Sequence, residues 1–210
     1  MHAQRLSTLP RSLPAFLLMA VLLPFLSACG YNTIPTAEEN AKAAWSEVLN
    51  QYQRRADLIP NLVETVKGYA AHEKDTLDAV VEARSKATQV TVTPETLKDP
   101  EAFKKFQDSQ SGLTSALSRL LAITENYPDL KANQNFIALQ AQLEGTENRI
   151  AVARRDYIQA VKDYNLTLKT FPSVLWATFW FRGNEPFQNF TISDDKMQTP
   201  KVDFGTKQGG

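Results

Sequence analysis

The fold is decided by residues 100–127, which read PEAFKKFQDSQSGLTSALSRLLAITENY. Side chains that suit a protein interior recur there at alternating spacings of three and four: Phe103, Phe106, Gln110, Leu113, Leu117, Leu120, Thr124 and Tyr127. This spacing places them along one face of an α-helix. Asp99 precedes the stretch as a candidate N-cap, and Pro100 suits the first helical position because its missing N–H has no helical partner there. The stretch therefore predicts a helix with a single buried seam, which needs partner helices.

The region before it has the same periodicity. Apolar positions at helical spacing follow a candidate start near Thr36, which forms a capping box with Glu39. Pro60 then interrupts the pattern. Either Asp57 caps a new helix with Pro60 in its first turn, or one helix continues with a kink at Pro60. Helical spacing resumes from Leu62 to Ala87, and residues 88–99 read as a connection.

A tight break at residues 126–129 predicts that the last helix runs back antiparallel, from Pro128 to Thr170. Glycine is scarce between Tyr31 and Thr170, as expected for long helices. The sequence therefore predicts an all-α fold, an antiparallel bundle of three to four long helices in which the first is kinked or broken at Pro60.

The N-terminus has the pattern of a secretory signal. Residues 1–28 contain two arginines and no acid, and residues 15–28 form an uncharged run that is too short to span a bilayer and is interrupted by Pro24. The run ends in a lipobox, the site at which signal peptidase II leaves a lipidated cysteine: Leu26, Ser27, Ala28 and Cys29. The alternative is an ordinary free cysteine beside an uncleaved anchor. We favour lipidation because the chain's single cysteine stands where cleavage should fall.

These boundaries divide the chain into a signal peptide (1–28), a lipid-anchor linker (29–35), a helical bundle (36–171), an aromatic C-terminal segment (172–190) and a flexible tail (191–210). The predicted location is a membrane-anchored lipoprotein facing the periplasm or the cell exterior. The anchor is the predicted membrane contact, envelope proteins are the expected partners, and the oligomeric state is left open.

Composition excludes several functions. The 23 basic and 23 acidic side chains give zero net charge, which does not suit a nucleic-acid binder. His72-Glu73 begins like a zinc-binding HExxH motif, but the second histidine is replaced by Thr76. With one cysteine, two histidines and no glycine-rich phosphate loop, we expect no metal, no cofactor and no catalytic residues.

Arg55 follows Tyr52 on the apolar side of the first helix, where a charge needs a partner. Glu147 and Asp156 on the last helix are the candidates for an interhelical ion pair; the alternative is a solvated charge beside the proline. Two alternatives are open for the aromatic segment: it folds back to cap the bundle, which we favour, or it contacts the membrane or a partner. The candidate contact residues are Trp176, Phe179, Trp180 and Phe181.

Residues 54–73, RRADLIPNLVETVKGYAAHE, resemble the signature of the LemA family of bacterial membrane-associated proteins. Matching features outside it are Trp45, EAR at 82–84, YPDLKA at 127–132, ENRIAVARRDY at 147–157 and YN at 164–165, and the resemblance covers about residues 31–190. Ile158 departs from the pattern, which usually has asparagine there. Motif residues expected to serve structure or interaction are Arg54, Arg55, Asp57, Pro60, Asn61, Tyr69, His72 and Glu73.

The resemblance implies an N-terminal membrane anchor, an extracytoplasmic helical bundle and no established enzymatic activity. Some members of the family are connected with membrane-organelle assembly in magnetotactic bacteria. Many carry an ordinary transmembrane segment, so the lipobox is a feature of this sequence. The expected function is therefore a non-enzymatic scaffold or interaction module at the bacterial envelope. The alternative is an envelope enzyme or ligand-binding module that works with carboxylates alone.

Overall fold

The computed structural model describes residues 30–90 and 93–190. Within these ranges the chain is helical and contains no β-strand, which confirms the all-α prediction. The elements in order are α1 (Thr33–Lys67), α2 (Lys74–Gln89), a 3-10 helix (Pro94–Leu97), α3 (Pro100–Thr124), α4 (Pro128–Lys131), α5 (Gln134–Thr167) and α6 (Ser173–Phe179). None of the helices in the described ranges is both long and apolar enough to cross a bilayer.

The long helices α1, α3 and α5 run the length of the bundle. The most extensive contact joins α1 and α5, and these two are antiparallel, since Trp45 meets Tyr157 near one end while Arg55 pairs with Glu147 further along. Helix α3 lies parallel to α1. The shorter α2 packs antiparallel to α3 and covers only the C-terminal half of α1.

Helix α1 differs from the prediction at its start but resolves the question at Pro60. It begins at Thr33, and the backbone N–H of Thr36 already donates to the carbonyl of Asn32, so the predicted cap at Thr36 is wrong. It continues through Pro60 to Lys67, so a new helix capped by Asp57 is also wrong.

The break falls eight residues later, at Gly68. The amides of Tyr69 and Ala70 both bond to the carbonyl of Val66, and the fully buried Ala70 holds this turn against the core. The helix predicted from Leu62 to Ala87 is therefore divided between α1 and α2. Ala70 is therefore buried because the turn folds it against the core, although it is no longer part of a helix.

The last helix is also shorter than predicted. Asp99 caps α3 as expected, accepting hydrogen bonds from the amides of Glu101 and Ala102. The predicted helix from Pro128 to Thr170 is instead the single turn α4 followed by α5, which ends at Thr167. Asn133 separates them because its side chain accepts hydrogen bonds from the amides of Asn135 and Phe136 and caps α5.

The buried core has two chemically different halves. The aliphatic half lies between α1, α2, α3 and α5 and contains one large aromatic ring, that of Phe136. The aromatic half contains the N-terminal part of α1, the start of α3 and the C-terminal part of α5, with seven buried rings: Trp45, Tyr52, Phe103, Phe106, Tyr157, Tyr164 and Phe187.

Candidate functional site

A layer of polar side chains separates the two halves of the core. On α1, Arg55 lies between Tyr52 of the aromatic half and Ile59 of the aliphatic half, and Gln110 lies between the two halves in the same way on α3. We call Arg55, Gln110, Thr114 and Glu147 the polar layer. Arg55 is only 1% exposed, so its guanidinium is removed from water. The groups around it must therefore compensate the buried charge if the fold is to be stable.

The partners of Arg55 come from two other helices. Its Nη1 donates to the carboxylate of Glu147 and to the hydroxyl of Thr114, each at 2.9 Å. Its Nη2 donates to the side-chain oxygen of Gln110 at 2.7 Å and to the backbone carbonyl of Gln110 at 3.3 Å. The guanidinium also lies 5.0 Å from the ring centroid of Tyr52, within cation–π range. One side chain thus links α1, α3 and α5.

The ion pair predicted for Arg55 is present in the structure, and Glu147 is the partner. Asp156, the other candidate, is exposed and lies nearer to Arg155. The carboxylate of Glu147 is 41% exposed, so the charge of the acid is partly hydrated while that of the arginine is not. The layer also reaches α2, because the Gln110 side chain donates to the carbonyl of Ala87.

Arg84 on α2 forms a second link, to the backbone of α1 next to Pro60, and the sequence alone did not predict it. Proline has no N–H, so Pro60 leaves the carbonyl of Ala56, four residues earlier in the helix, without its usual partner. The Nε of Arg84, on α2, donates to this carbonyl at 2.7 Å. A proline inside a predicted helix shows from sequence which backbone carbonyl has no helical donor. An arginine on the following helix is a candidate donor to that carbonyl.

The other motif residues on α1 lie on its surface. Arg54, Asp57, Pro60 and Asn61 are exposed, and Asp57 accepts a hydrogen bond from Gln53 one turn earlier. They do not enter the polar layer.

Three motif residues lie at the turn after α1. The Tyr127 hydroxyl donates to Glu73 at 2.9 Å, and this hydrogen bond raises the pKa of Tyr127. Asn133 donates to the Tyr69 hydroxyl, which ties the same turn to the start of α5. His72 is exposed. The family motif is therefore divided between the polar layer, the surface of α1 and this distant turn, and it forms no common pocket.

In residues 30–90 and 93–190, no group of three or more histidine, cysteine, aspartate or glutamate side chains could hold a metal ion. A cavity of about 250 Å³ opens beside Tyr52, Phe106 and Gln110, and its described lining contains no acidic side chain. A second cavity, of about 290 Å³, is lined by residues that include Glu125 and Lys131.

A clamp on α5 holds the C-terminal segment against the aromatic half. Asn165 accepts from the amide of Phe187 and donates to its carbonyl, at 2.9 and 3.0 Å. The hydroxyls of Tyr157 and Tyr164 donate to the carbonyls of Gln188 and Glu185. Burial raises the pKa of both phenols, that of Tyr164 to about 12.

Helix α6 closes this end of the bundle with one side and leaves the other side bare. Trp176 and Phe181 pack against the aromatic half, as the capping alternative predicted. Large apolar side chains in or next to the helix remain exposed, with exposed fractions of 77% for Phe171, 50% for Leu175, 64% for Phe179 and 68% for Trp180. We call these four residues the aromatic face. The four predicted contact residues thus have two different environments.

The inner side of α6 lies beside the start of the described chain, and its Trp176 ring contacts that of Trp180 in the aromatic face, with centroids 5.6 Å apart. A Cβ placed on Gly30 would meet the Trp176 ring at 3.2 Å, and the Tyr31 ring contacts both Trp176 and Phe181. Gly30 directly follows Cys29. The lipobox, Leu26, Ser27, Ala28 and Cys29, lies outside the described residues.

Together these features define an all-α protein whose motif residues tie helices together and which exposes aromatic side chains at one end. Residues 44–204 match the LemA family, so the chain belongs to that family. It is 28% identical over 189 residues to magnetosome proteins MamQ 1 and MamQ 2 of Paramagnetospirillum magneticum, a match that covers 82% of this chain and 70% of theirs. It is 24% identical over 156 residues to protein LemA of Metamycoplasma hominis, over 74% of this chain and 67% of that protein.

Proposed function

We propose that this LemA-family protein is a lipid-anchored helical bundle that faces the periplasm or the cell exterior and acts as a non-enzymatic scaffold or interaction module at the envelope membrane. The observation that carries the proposal is the packing of Gly30 against Trp176. Because Gly30 is bonded to Cys29, a lipid on that cysteine would join the folded bundle directly, with no long linker between them.

The use of the polar side chains supports interaction over catalysis. The buried polar side chains of the layer bond to one another and to backbone carbonyls, as in a structural link between helices. The relatives named magnetosome proteins agree with the membrane role that the family resemblance implies. Envelope proteins are the partners proposed here, and the exposed ends of the bundle are the surfaces available to them.

The test is metabolic labelling of cells that express the full chain with a clickable fatty acid. We expect the wild-type protein to take up the label, to sediment with membranes and to shift to the larger precursor when signal peptidase II is inhibited. Cys29→Ser should remain unlabelled and keep the precursor size, because the thiol that accepts the lipid is lost.

Ser27→Ala is the matched control, since it preserves a small residue before the cysteine and should be labelled like the wild type. An unlabelled wild-type protein, or a Cys29→Ser protein that is still labelled and processed, would disprove lipid anchoring.

A further inference from the structure

We propose that the aromatic face, Phe171, Leu175, Phe179 and Trp180, inserts into the headgroup region of the bilayer that carries the anchor. This inference deepens the proposed function and rests on its membrane location. It adds a second attachment: the lipid tethers the chain, and the aromatic face fixes which end of the bundle meets the membrane.

Helix α6 and its flanking residues are asymmetric. Trp176 and Ala177 belong to the aromatic half, so the helix is already docked and its position is fixed. Leu175 and Phe179 within the helix, and Phe171 and Trp180 on either side of it, are each at least half exposed. Large apolar side chains exposed together in a short segment indicate an interaction site, because leaving them in water is unfavourable.

The predicted anchor is adjacent in sequence to this segment's contacts. Cys29 is bonded to Gly30, the first residue that the structure describes. Gly30 packs so closely against this segment that an added Cβ would meet the Trp176 side chain at 3.2 Å and that of Pro172 at 3.3 Å, closer than ordinary van der Waals contact. The Trp176 ring in turn contacts that of Trp180. A lipid on Cys29 would therefore hold the bilayer surface close to the aromatic face.

The chemistry of the segment also suits a membrane surface. Tryptophan favours the boundary between headgroups and acyl chains, and phenylalanine and leucine form the apolar side of helices that lie there. The only charged residues between positions 169 and 184 are the cations Lys169 and Arg182, one on either side of α6, and both are exposed. Long basic side chains can extend to phosphate groups while their stems follow the apolar surface. The segment thus suits a bilayer that contains anionic phospholipid.

The orientation is the measurable consequence. The turn at residues 68–73 lies at the other end of α1, about 50 Å away along a helix of 35 residues. Both proposed attachments lie at the α6 end of the bundle. The start of α5 contacts the turn at the opposite end and should therefore stay out of the bilayer.

The experiment uses full-length protein reconstituted into vesicles of phosphatidylcholine and phosphatidylglycerol with brominated acyl chains, which quench nearby tryptophan. One variant keeps only Trp180, through Trp45→Phe and Trp176→Phe. The matched control also carries Trp180→Phe and places its single tryptophan by Ile137→Trp, a half-exposed site near the start of α5. We expect Trp180 to lose most of its emission and to shift to the blue, with no change in the control.

Because Trp45 is buried, a second measurement leaves the tryptophans unchanged. A nitroxide attached through Phe179→Cys should be more accessible to oxygen than to a water-soluble nickel complex, and one attached through Ile137→Cys should show the reverse. Cys29 does not compete for the label when it is acylated.

Three results would overturn the proposal: unquenched Trp180, equal quenching of Trp180 and the control, or disulfide crosslinking of Phe179→Cys between molecules, which would assign the face to a second copy. Failure of the anchor is read separately. Absence of fatty-acid label with quenched Trp180 would refute the lipoprotein and retain the membrane contact, whereas labelled protein with unquenched Trp180 would refute the contact alone.

Discussion

The two halves of the core show how one bundle uses two kinds of packing. The aliphatic half is filled by α1, α2, α3 and α5, whose leucine and valine side chains interdigitate. The aromatic half lacks α2, and the space is filled by large rings and by the C-terminal segment, which brings Phe187 and Phe190 against them. In the aromatic half, large rings and the returning C-terminal segment thus take the place of a fourth helix.

The polar layer lies where one kind of packing gives way to the other. Apolar side chains alone would allow α3 and α5 to slide along α1, because one seam of similar residues fits several positions. The guanidinium of Arg55 accepts only one arrangement, with Glu147, Thr114 and Gln110 in reach. A buried charge that specifies register at some cost in stability is a known use of such groups.

The largest expected difference between the halves is their response to alkali. Burial raises the pKa of Tyr52, Tyr157 and Tyr164 above the ordinary value of 10.0, that of Tyr164 to about 12. The native state therefore favours the neutral phenols. Their contribution to stability is fully present below about pH 10 and is lost as pH rises towards 12. The free energy of unfolding in urea should fall steeply over this interval.

The control for alkali is Tyr157→Phe combined with Tyr164→Phe. This variant loses two hydrogen bonds to the C-terminal segment and should be less stable at neutral pH, but its stability should change less with pH. Equal losses in wild type and variant between about pH 10 and pH 12 would contradict the role assigned to these tyrosines.

The next largest effect is expected at the polar layer. Removal of one partner from a buried ion pair leaves the other charge uncompensated, so Glu147→Ala should lower the free energy of unfolding by about 3 kcal/mol. Arg55→Met combined with Glu147→Leu removes both charges and should cost less than half as much. Chemical denaturation of the three proteins measures these values. If Glu147→Ala cost less than about 0.5 kcal/mol, the pair would be no stronger than a surface ion pair.

Much of this architecture could be predicted from sequence, because helical periodicity reports burial directly. The α3 seam from Phe103 to Thr124 is buried as its spacing indicates, and Asp99 caps α3 as expected. The ends of the helices were harder to predict from sequence than their buried faces. The cap at Asn133 interrupts an otherwise continuous helical pattern, and the turn at Gly68 depends on burial of Ala70, a tertiary contact that a local pattern does not contain.

The polar layer was predicted only in part for the same physical reason. An arginine on an apolar face must have a partner, and that argument indicated Glu147 as one of two acids. Spacing places Gln110 on the buried seam of α3, but it does not show that its amide group links α3 to both Arg55 and Ala87. Spacing shows that a side chain faces inward; it does not show which atoms it meets.

The smallest expected effect concerns Pro60 and the carbonyl it leaves free. Arg84→Ala removes the donor to the Ala56 carbonyl, beside the polar layer, and should cost about 2 kcal/mol, since the lost hydrogen bond involves a charged group. In a Pro60→Ala background the restored N–H can bond to Ala56 itself, so Arg84→Ala should cost about 1 kcal/mol less. Urea unfolding of the four proteins gives this coupling. An equal cost of Arg84→Ala in both backgrounds would mean that Arg84 stabilises the contact between α1 and α2 by packing alone, independently of the proline.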